Sequence, residues 1–356
     1  MAKKVGLRDV ARAANVGVAT VSRVATGSAR VSLEVVERVR NAARDLGVNL
    51  YRGRSLAVLA FLLSNREVLH PFHSQVLIGA EAHAAACGWN MLFLTWNYPL
   101  NVPWQELHLP KILEHREFVS GVILGGTNSQ HLLELLRHKG IPVAVLGNNI
   151  APEWQAEKYD AVWFDDIQAM LEVTKYVQSL GHYHIWYVGN TRLPWYQRRY
   201  KAYMRAMEEA KLPPRLSEID SNNSQDIGFL ATKAIVSRGE PLSAIVAADD
   251  FVAAGAYKAL LECGLRVPQD VSVVGFGDLG AATLQPPLTT VRVFIEQLGK
   301  ELVEMVHKRI EFPGLPPQQF VFPTQLVKRE SCMRLDKATQ SATDMRREET
   351  LSVRRE

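Results

Sequence analysis

A short run of residues near the start of the chain has side chains suited to contact with base pairs. Val18, Ala19, Thr20, Ser22 and Arg23 fall at the beginning of a predicted helix. An arginine can hold guanine through two hydrogen bonds, hydroxyl groups can bind bases or phosphates, and small apolar side chains can contact a thymine methyl. We therefore predict that this helix reads the major groove of DNA. Local helix capping is the alternative role for Thr20 and Ser22.

The residues on either side predict the elements that would hold this helix in place. Residues 7–14 and 18–24 are typical of two short helices joined by a tight turn, which is a helix-turn-helix. Residues 33–46 predict a third helix with an apolar position every three to four residues, ended by Gly47. The remaining residues of the predicted DNA-binding set are Leu7, Arg8 (near the start of the first helix, for a phosphate), Gly17, Thr26 and Ser32 (the N-cap of the third helix).

Positive charge is concentrated in the same part of the chain. Residues 1–54 contain eleven Lys and Arg against four Asp and Glu, a net charge of +7, whereas the remaining 302 residues have a net charge of −3. A concentration of cations on a small module is typical of binding to a phosphate backbone. A merely solvated basic surface is the alternative, and the predicted turn geometry favours DNA.

The bulk composition narrows the function classes further. A chain of 356 residues predicts more than one domain, and three widely spaced cysteines without a CxxC pair predict neither a disulfide framework nor a zinc site. We expect a cytoplasmic protein, because neither a signal peptide nor an apolar run of membrane-spanning length is evident. No phosphate-binding P-loop, GxSxG or HExxH motif is found, so we predict no catalytic residues, no cofactor and no metal.

From residue 57 onward, short apolar strands alternate with helices. This pattern predicts parallel sheets covered on both faces, with ligands bound beyond the carboxyl ends of the strands. The predicted strands are 57–63, 90–95, 119–125, 141–146, 184–189, 243–248 and 271–276. The predicted helices lie near 74–87, 129–139, 166–180, 196–211, 225–238 and 250–263.

Several ordered motifs resemble those of the lactose-repressor (LacI/GalR) family of bacterial transcription regulators. They are Leu7-Arg8-Asp9-Val10-Ala11, Ala19-Thr20-Val21-Ser22-Arg23-Val24, Leu180-Gly181-His182, Ala247-Ala248-Asp249-Asp250, Val267-Pro268-Gln269-Asp270-Val271, Val274-Gly275-Phe276 and Pro287-Leu288-Thr289-Thr290-Val291. The resemblance extends over residues 5–334.

The resemblance implies a DNA-binding head and a two-lobed α/β core, similar to periplasmic binding proteins, that holds a small molecule. It implies a ligand-responsive regulator, most simply a repressor with a sugar or sugar derivative as effector, that binds palindromic operators as a homodimer. A cytoplasmic solute receptor without a DNA role, or an enzyme on the same scaffold, is the alternative. The implied divisions are a head at 1–48, a linker at 49–57, a core at 58–334 (lobes about 58–160 plus 292–320, and 161–291 plus 321–334) and a disordered tail at 335–356.

Candidate effector contacts follow from the positions where the family binds its ligands. Arg199 falls where the family commonly has a ligand-gripping arginine, with Arg198 as the alternative on a solvated face, and one of Asp249 and Asp250 is expected to cap a helix while the other binds. Phe72 would stack on a ring or fill a core gap. The predicted effector set is Phe72, His73, Asn148, Arg199, Asn222, Asp250 and Asp278.

This chain departs from the family pattern in two places. The linker lacks the usual Tyr-x-Pro-Asn sequence and is shorter than the family norm, and Gly53 weakens any helix in it. We therefore expect either weaker DNA bending than the minor-groove wedge of the family produces, or a different coupling to the ligand. After Phe276, where the family often has an aspartate that binds sugar hydroxyls, this chain has Gly277 followed by Asp278.

Overall fold

The protein folds as an α/β chain with a helical head. The computed structural model describes residues 6–25, 31–46, 48, 58–66, 70–114, 118–150 and 154–335. These residues form two compact units: unit 1 contains those within 1–147, 153–162 and 296–320, and unit 2 contains those within 148–152, 163–295 and 321–356. The predicted linker 49–57, Thr26 and residues 336–356 of the predicted tail lie outside the described residues.

Three helices form the head. They are α1 (Leu7–Ala13), α2 (Val18–Ala25) and α3 (Leu33–Asp45). Their shared core consists of Val10, Ala11, Ala14, Val21, Val24, Val39, Ala42 and Ala43. The helix-turn-helix prediction is therefore confirmed, and the partly buried Val36 packs against this core.

Local interactions set the bounds of the first two helices. The Gly6 N–H donates to the Asp9 carboxylate at 3.0 Å, which satisfies a free amide at the start of α1. The chain leaves α1 through Asn15, whose φ is +52°. Asparagine tolerates this left-handed conformation better than most residues, so it allows the tight turn into α2.

The larger sheet has six strands in the order β11-β5-β4-β3-β1-β2, and the neighbouring strands from β5 to β2 are parallel. These strands are β1 (Val58–Ser64), β2 (Asn90–Trp96), β3 (Gly121–Gly126), β4 (Val143–Leu146), β5 (Asp160–Phe164) and β11 (Gln319–Phe322). The helices along this part of the chain are α4 (Pro71–Ala86), α5 (Lys111–Glu114), α6 (Gln130–His138) and α11 (Ile295–Glu311). The continuous apolar sequence of β1 is buried on both faces, as expected for a central parallel strand.

Unit 2 contains a parallel sheet in the order β7-β6-β8-β9. These strands are β6 (Ile185–Gly189), β7 (Arg215–Glu218), β8 (Ala244–Ala247) and β9 (Ser272–Val274). The helices are α7 (Asp166–Ser179), α8 (Pro194–Glu209), α9 (Ser224–Ser237) and α10 (Asp250–Glu262). A separate antiparallel pair joins β10 (Thr290–Arg292) to β12 (Gln325–Val327).

Two glycines allow α9 and α10 to approach closely. A Cβ atom at Gly228 would overlap the backbone carbonyl of Val252, and one at Gly255 would overlap that of Gln225. Neither helix therefore has room for even a methyl group at the crossing. This crossing holds the beginning of α10, and with it Asp249 and Asp250, in a defined position.

Every strand and helix predicted from the pattern is present, with ends displaced by a few residues. The largest correction to a strand is at 271–276, where the strand is limited to Ser272–Val274 and the chain continues through Gly275 into a loop. The prediction missed β5, β7, β10, β11, β12, α5 and α11. Most of these are short, and β7, with sequence Arg-Leu-Ser-Glu, lacks an apolar run.

Candidate functional site

The beginning of α2 presents the side chains predicted to read bases. Val18 is 45% exposed and Ala19, Ser22 and Arg23 are also exposed, whereas Val21 and Val24 are buried in the head core. Helical periodicity produces this division, because positions three apart share a face. The structure therefore brings Val18, Ala19, Ser22 and Arg23 to one surface of the head.

The other predicted DNA contacts lie around this surface with different degrees of exposure. Leu7, Arg8, Gly17 and Ser32 are exposed, and Thr20 is half-buried. Thr20 lies inside α2 rather than at its cap, and its hydroxyl makes no hydrogen bond to a described residue. Arg8 is exposed and forms no ion pair with any described residue.

In unit 2, Arg199 lies at the carboxyl end of the parallel sheet. It is only 6% exposed, its Nη1 donates to the Ala248 carbonyl at 2.7 Å, and its guanidinium carbon is 3.8 Å from the centroid of the Phe276 ring. Ala248 follows β8 and Phe276 follows β9, so the ends of two neighbouring strands position this side chain. The Arg199 Nε atom is buried and has no hydrogen-bond partner.

Asp249 is the residue that caps α10. Its Oδ1 accepts from the Val252 N–H at 2.7 Å, and its Oδ2 accepts a short hydrogen bond from the Tyr196 hydroxyl and a longer one of 3.3 Å from Ser224. Burial, followed by the Asp249 charge, raises the pKa of Tyr196 well above its ordinary value, so the phenol keeps the proton that it donates. The sequence left open whether Asp249 or Asp250 caps the helix, and the structure shows that Asp249 does.

Asp250 is almost completely buried and ties the loop after β9 to β10. Its Oδ1 accepts from the Thr290 hydroxyl at 2.5 Å, and its Oδ2 accepts from the Leu279 N–H at 2.7 Å. Burial raises the pKa of Asp250 to about 7, and the nearby Asp249 and Asp278 charges also raise it. Hydrogen bonds from Thr290 and Leu279 act in the opposite direction because they favour the carboxylate.

Asp278 is held by two arginines. Its Oδ2 accepts from Arg292 Nε at 2.7 Å, and its Oδ1 accepts from Arg329 Nη2 at 2.7 Å. The residue has a φ of +59°, so it also occupies the left-handed region within the loop after β9. Both carboxylate oxygens therefore have charged donors inside unit 2.

Asn148 and Asn222, which were also predicted to bind the effector, differ in their contacts, as does Arg198. The amide of Asn148 is used by Phe164, whose backbone N–H and C=O it bonds at 3.0 and 2.9 Å. Asn222 is exposed and makes no hydrogen bond to a described residue. Arg198, the alternative to Arg199, pairs with the buried Asp166 at 2.9 Å instead of lying on a solvated face.

In unit 1, Phe72 and His73 lie in the first turn of α4. Phe72 is half-buried and its ring is 5.3 Å from that of His73. His73 is buried, its Nδ1 has no hydrogen-bond partner, and burial, helped by the Arg66 and His70 charges, lowers its pKa well below the ordinary value. It is therefore a neutral imidazole at physiological pH.

Sequence analysis did not predict chemical roles for several residues of unit 2 that contact these aspartates. Tyr196, Thr290, Arg292 and Arg329 all bind the acidic residues described above. Thr290 lies in a motif that carried the family resemblance, but its role depends on Asp250, forty residues earlier. The residues around Arg329 did not indicate this role, because its partner Asp278 lies far away in the sequence and approaches it only in the folded protein.

Known protein families match both the helical head and part of the α/β core. Residues 6–48 match the family model for bacterial regulatory proteins of the lacI family, and residues 174–332 match the model for a periplasmic binding protein-like domain. This chain belongs to the LacI family. It is a sequence-specific DNA-binding transcription regulator with a ligand-binding core.

Relatives and solved structures align with this LacI-family chain over most of its length. It is 28% identical over 341 residues to the HTH-type transcriptional regulator DegA of Bacillus subtilis, covering 92% of this chain and 98% of the relative. It is 27% identical to a ribose operon repressor of Haemophilus influenzae, covering 91% and 98%. A structure described as a complex of the transcriptional regulator CelR with cellobiose has a TM-score of 0.67 at 26% identity, covering 92% and 100%.

Among the described residues, no helix combines the length and apolar character needed to cross a membrane. The described residues also contain no group of three or more His, Cys, Asp and Glu side chains that is arranged to hold a metal ion.

Proposed function

We propose that this LacI-family chain is a homodimeric repressor that binds a palindromic operator in the bacterial cytoplasm. The observation that carries this proposal is the exposed beginning of α2, where Val18, Ala19, Ser22 and Arg23 project from a head whose surrounding sequence has a net charge of +7. Two heads related by two-fold symmetry would read two half-sites. Leu7, Arg8, Gly17, Thr20, Thr26 and Ser32 complete the proposed DNA-binding set, and a tetramer is the alternative assembly.

We further propose that the core binds a sugar or sugar derivative and changes operator affinity without catalysing a reaction. The names of the relatives support this, since one is a ribose operon repressor and a structural relative is described with cellobiose. The proposed effector contacts are Phe72, His73 and Arg199, with Asn222 as a peripheral contact. Asn148, Asp250 and Asp278 are assigned positioning roles, because their polar atoms already bond within the protein.

The operator is identified by selecting sequences from a random duplex library with the full chain, and affinity is then measured by fluorescence anisotropy at several salt concentrations. We expect a steep loss of affinity with salt and a loss of selectivity in Arg23→Ala. Arg205→Ala is the matched control, because Arg205 is an exposed arginine in unit 2 that pairs with Glu209. Failure to enrich any sequence would favour a solute receptor without a DNA role.

A further inference from the structure

A cavity lies at the edge of the larger sheet where its central strands begin. Its volume is about 450 Å³, and the residues that immediately precede β3, β4 and β5, which are Ser120, Pro142 and Tyr159, line it. These strands are parallel, so their first residues share one edge of the sheet. Phe72 and His73, the proposed effector contacts in unit 1, come after β1, at the opposite, carboxyl edge. The cavity is therefore separate from those contacts.

The size and lining of this cavity are typical of a small-molecule site. Such sites enclose about 300–1,000 Å³ and are mostly apolar, with a few polar groups that orient the ligand. The apolar wall is formed by residues before β4 and by residues at and after the end of α11: Ile141, Pro142, Ile310, Pro313, Leu315 and Pro317. Three of them are prolines, whose fixed φ angle restricts rearrangement of the wall.

The charged side chains that line the cavity have an excess of positive charge. They are Arg137, Lys158, Asp160 and Arg309. Arg309 balances the charge of Asp160 through hydrogen bonds of 2.7 and 2.9 Å. Arg137 and Lys158 are exposed, and neither forms an ion pair with a described residue. Two positive charges of the lining are therefore not neutralised within the described part of the chain.

Tyr159 adds a buried hydrogen-bond donor to these two cations. The residue is only 4% exposed, and its hydroxyl bonds to no described group. Burial raises the pKa of Tyr159, so the phenol keeps its proton. The guanidinium carbon of Arg137 lies 5.9 Å from the centroid of the Tyr159 ring. A buried hydroxyl without a partner costs free energy, and an acceptor bound beside it would recover that cost.

The chemistry of the occupant follows from these groups. A carboxylate or a phosphate accepts hydrogen bonds and carries negative charge, which suits a phenol donor next to two cations. We infer that this cavity is a second ligand site, and that it binds a small organic anion with an apolar body. Its acidic group accepts from the Tyr159 hydroxyl near Arg137 and Lys158, and its apolar body contacts the proline-rich wall.

The head also contributes to this cavity. Val24 and Ala25, in the last turn of α2, line it. Beside it, the guanidinium carbon of Arg40 in α3 lies 4.5 Å from the centroid of the ring of Phe312, which directly precedes Pro313 of the wall. The anion therefore contacts the helix that carries the proposed base-reading residues. Anion and operator are then coupled, and each changes the affinity for the other by the same factor.

Binding is tested on the full chain with matched pairs of small acids and neutral analogues. Benzoate, indole-3-acetate and phenyl phosphate are compared with benzamide, indole-3-acetamide and phenol by saturation-transfer NMR and titration. We expect at least one acid to bind at millimolar concentration or below, about tenfold more tightly than its neutral analogue. The carboxylates and the phosphate identify which acidic group is preferred. Failure of all three acids to bind, or equal affinity within every pair, would overturn the inference.

Variants locate the bound acid. Tyr159→Phe keeps the ring and removes the hydroxyl, and we expect it to weaken acid binding about tenfold. Lys158→Gln should weaken it about threefold, since an exposed charge is screened by solvent. Lys139→Gln is the matched control, because Lys139 is an exposed lysine that pairs with Glu114 outside the cavity lining. Acid affinity that is unchanged in folded Tyr159→Phe and Lys158→Gln, with folding verified by melting temperature, would place the acid elsewhere and overturn the site.

The link to the head has its own readout. Anisotropy titrations of the selected operator are repeated with the acid at a concentration that saturates the wild-type chain. We expect the acid to change operator affinity threefold or more in the wild type and in Lys139→Gln, and by less in Tyr159→Phe. Operator affinity that stays the same in the saturated wild type would refute the coupling between the cavity and the head.

Discussion

Asp278 offers the sharpest test of how the loop after β9 is held. Asp278→Asn keeps the size of the side chain and its tolerance of the left-handed backbone, but it removes the charge that binds Arg292 and Arg329. If Asp278 is a positioning residue, its loss is expected to lower stability. If it is mainly an effector contact, the free protein is expected to be almost unchanged.

The magnitude follows from the exposure of the three side chains. Asp278 and Arg329 are 10% and 16% exposed, so their hydrogen-bonded pair contributes about 2 kcal/mol. Arg292 is 42% exposed, and solvent screening reduces its pair to about 0.5 kcal/mol. Because asparagine retains one acceptor oxygen, we expect the free energy of unfolding to fall by about 2 kcal/mol overall.

Urea denaturation followed by circular dichroism, together with thermal unfolding, measures this change. A loss of 2 kcal/mol corresponds to a melting temperature lower by about 4–8 °C for a unit of this size. The matched control is Asp220→Asn, because Asp220 pairs with Arg192 where both side chains are more than half exposed. That control is expected to cost below about 0.5 kcal/mol. Equal stability losses in the two variants would refute the positioning role.

Four other predictions concern the head, the core and the linker. Arg23→Ala is expected to weaken binding to the selected operator by about 1–3 kcal/mol and to relax selectivity at one base pair, as read by anisotropy against single-base operator variants. Because folding raises the pKa of Asp250 to about 7, the folded state binds more protons than the unfolded state between about pH 4 and 7, so stability should rise as pH falls through this window. Asp250→Asn should flatten that dependence in urea titrations from pH 5 to pH 8. Gly255→Ala should lower the melting temperature by several degrees, since a methyl group there overlaps the Gln225 carbonyl. The short linker at 49–57 predicts weak operator bending, and a sharp central kink in a circular-permutation gel assay would contradict it.

The sequence predicted the fold closely because its main elements have strong patterns. The run Val58-Leu59-Ala60-Phe61-Leu62-Leu63 has the apolar continuity of a buried parallel strand, and β1 occupies it. β7 was missed because Arg215-Leu216-Ser217-Glu218 lies at the edge of its sheet and needs no such continuity. Short edge strands depend on their neighbours more than on their own residues.

The candidate site was less predictable, because its chemistry depends on partners that are distant in sequence. Arg199 was identified from its place in the family motif, but its hydrogen bond to the Ala248 carbonyl becomes evident only when unit 2 is folded. Asp278 was predicted to contact a ligand from its position after Phe276. Whether its charge is available depends on Arg329, fifty-one residues later, and no local pattern reveals that pairing.

The double anchoring of the loop after β9 limits which substitutions the protein can accept in that loop. Asp278 is bound to Arg292 of β10 and to Arg329 beyond β12, so any replacement there perturbs three segments of the chain at once. By contrast, replacement of Asn222 would disturb none of these segments, since it is exposed and bonds to no described residue. We therefore expect natural variants of this chain to keep Asp278, Arg292 and Arg329 together or to replace them together.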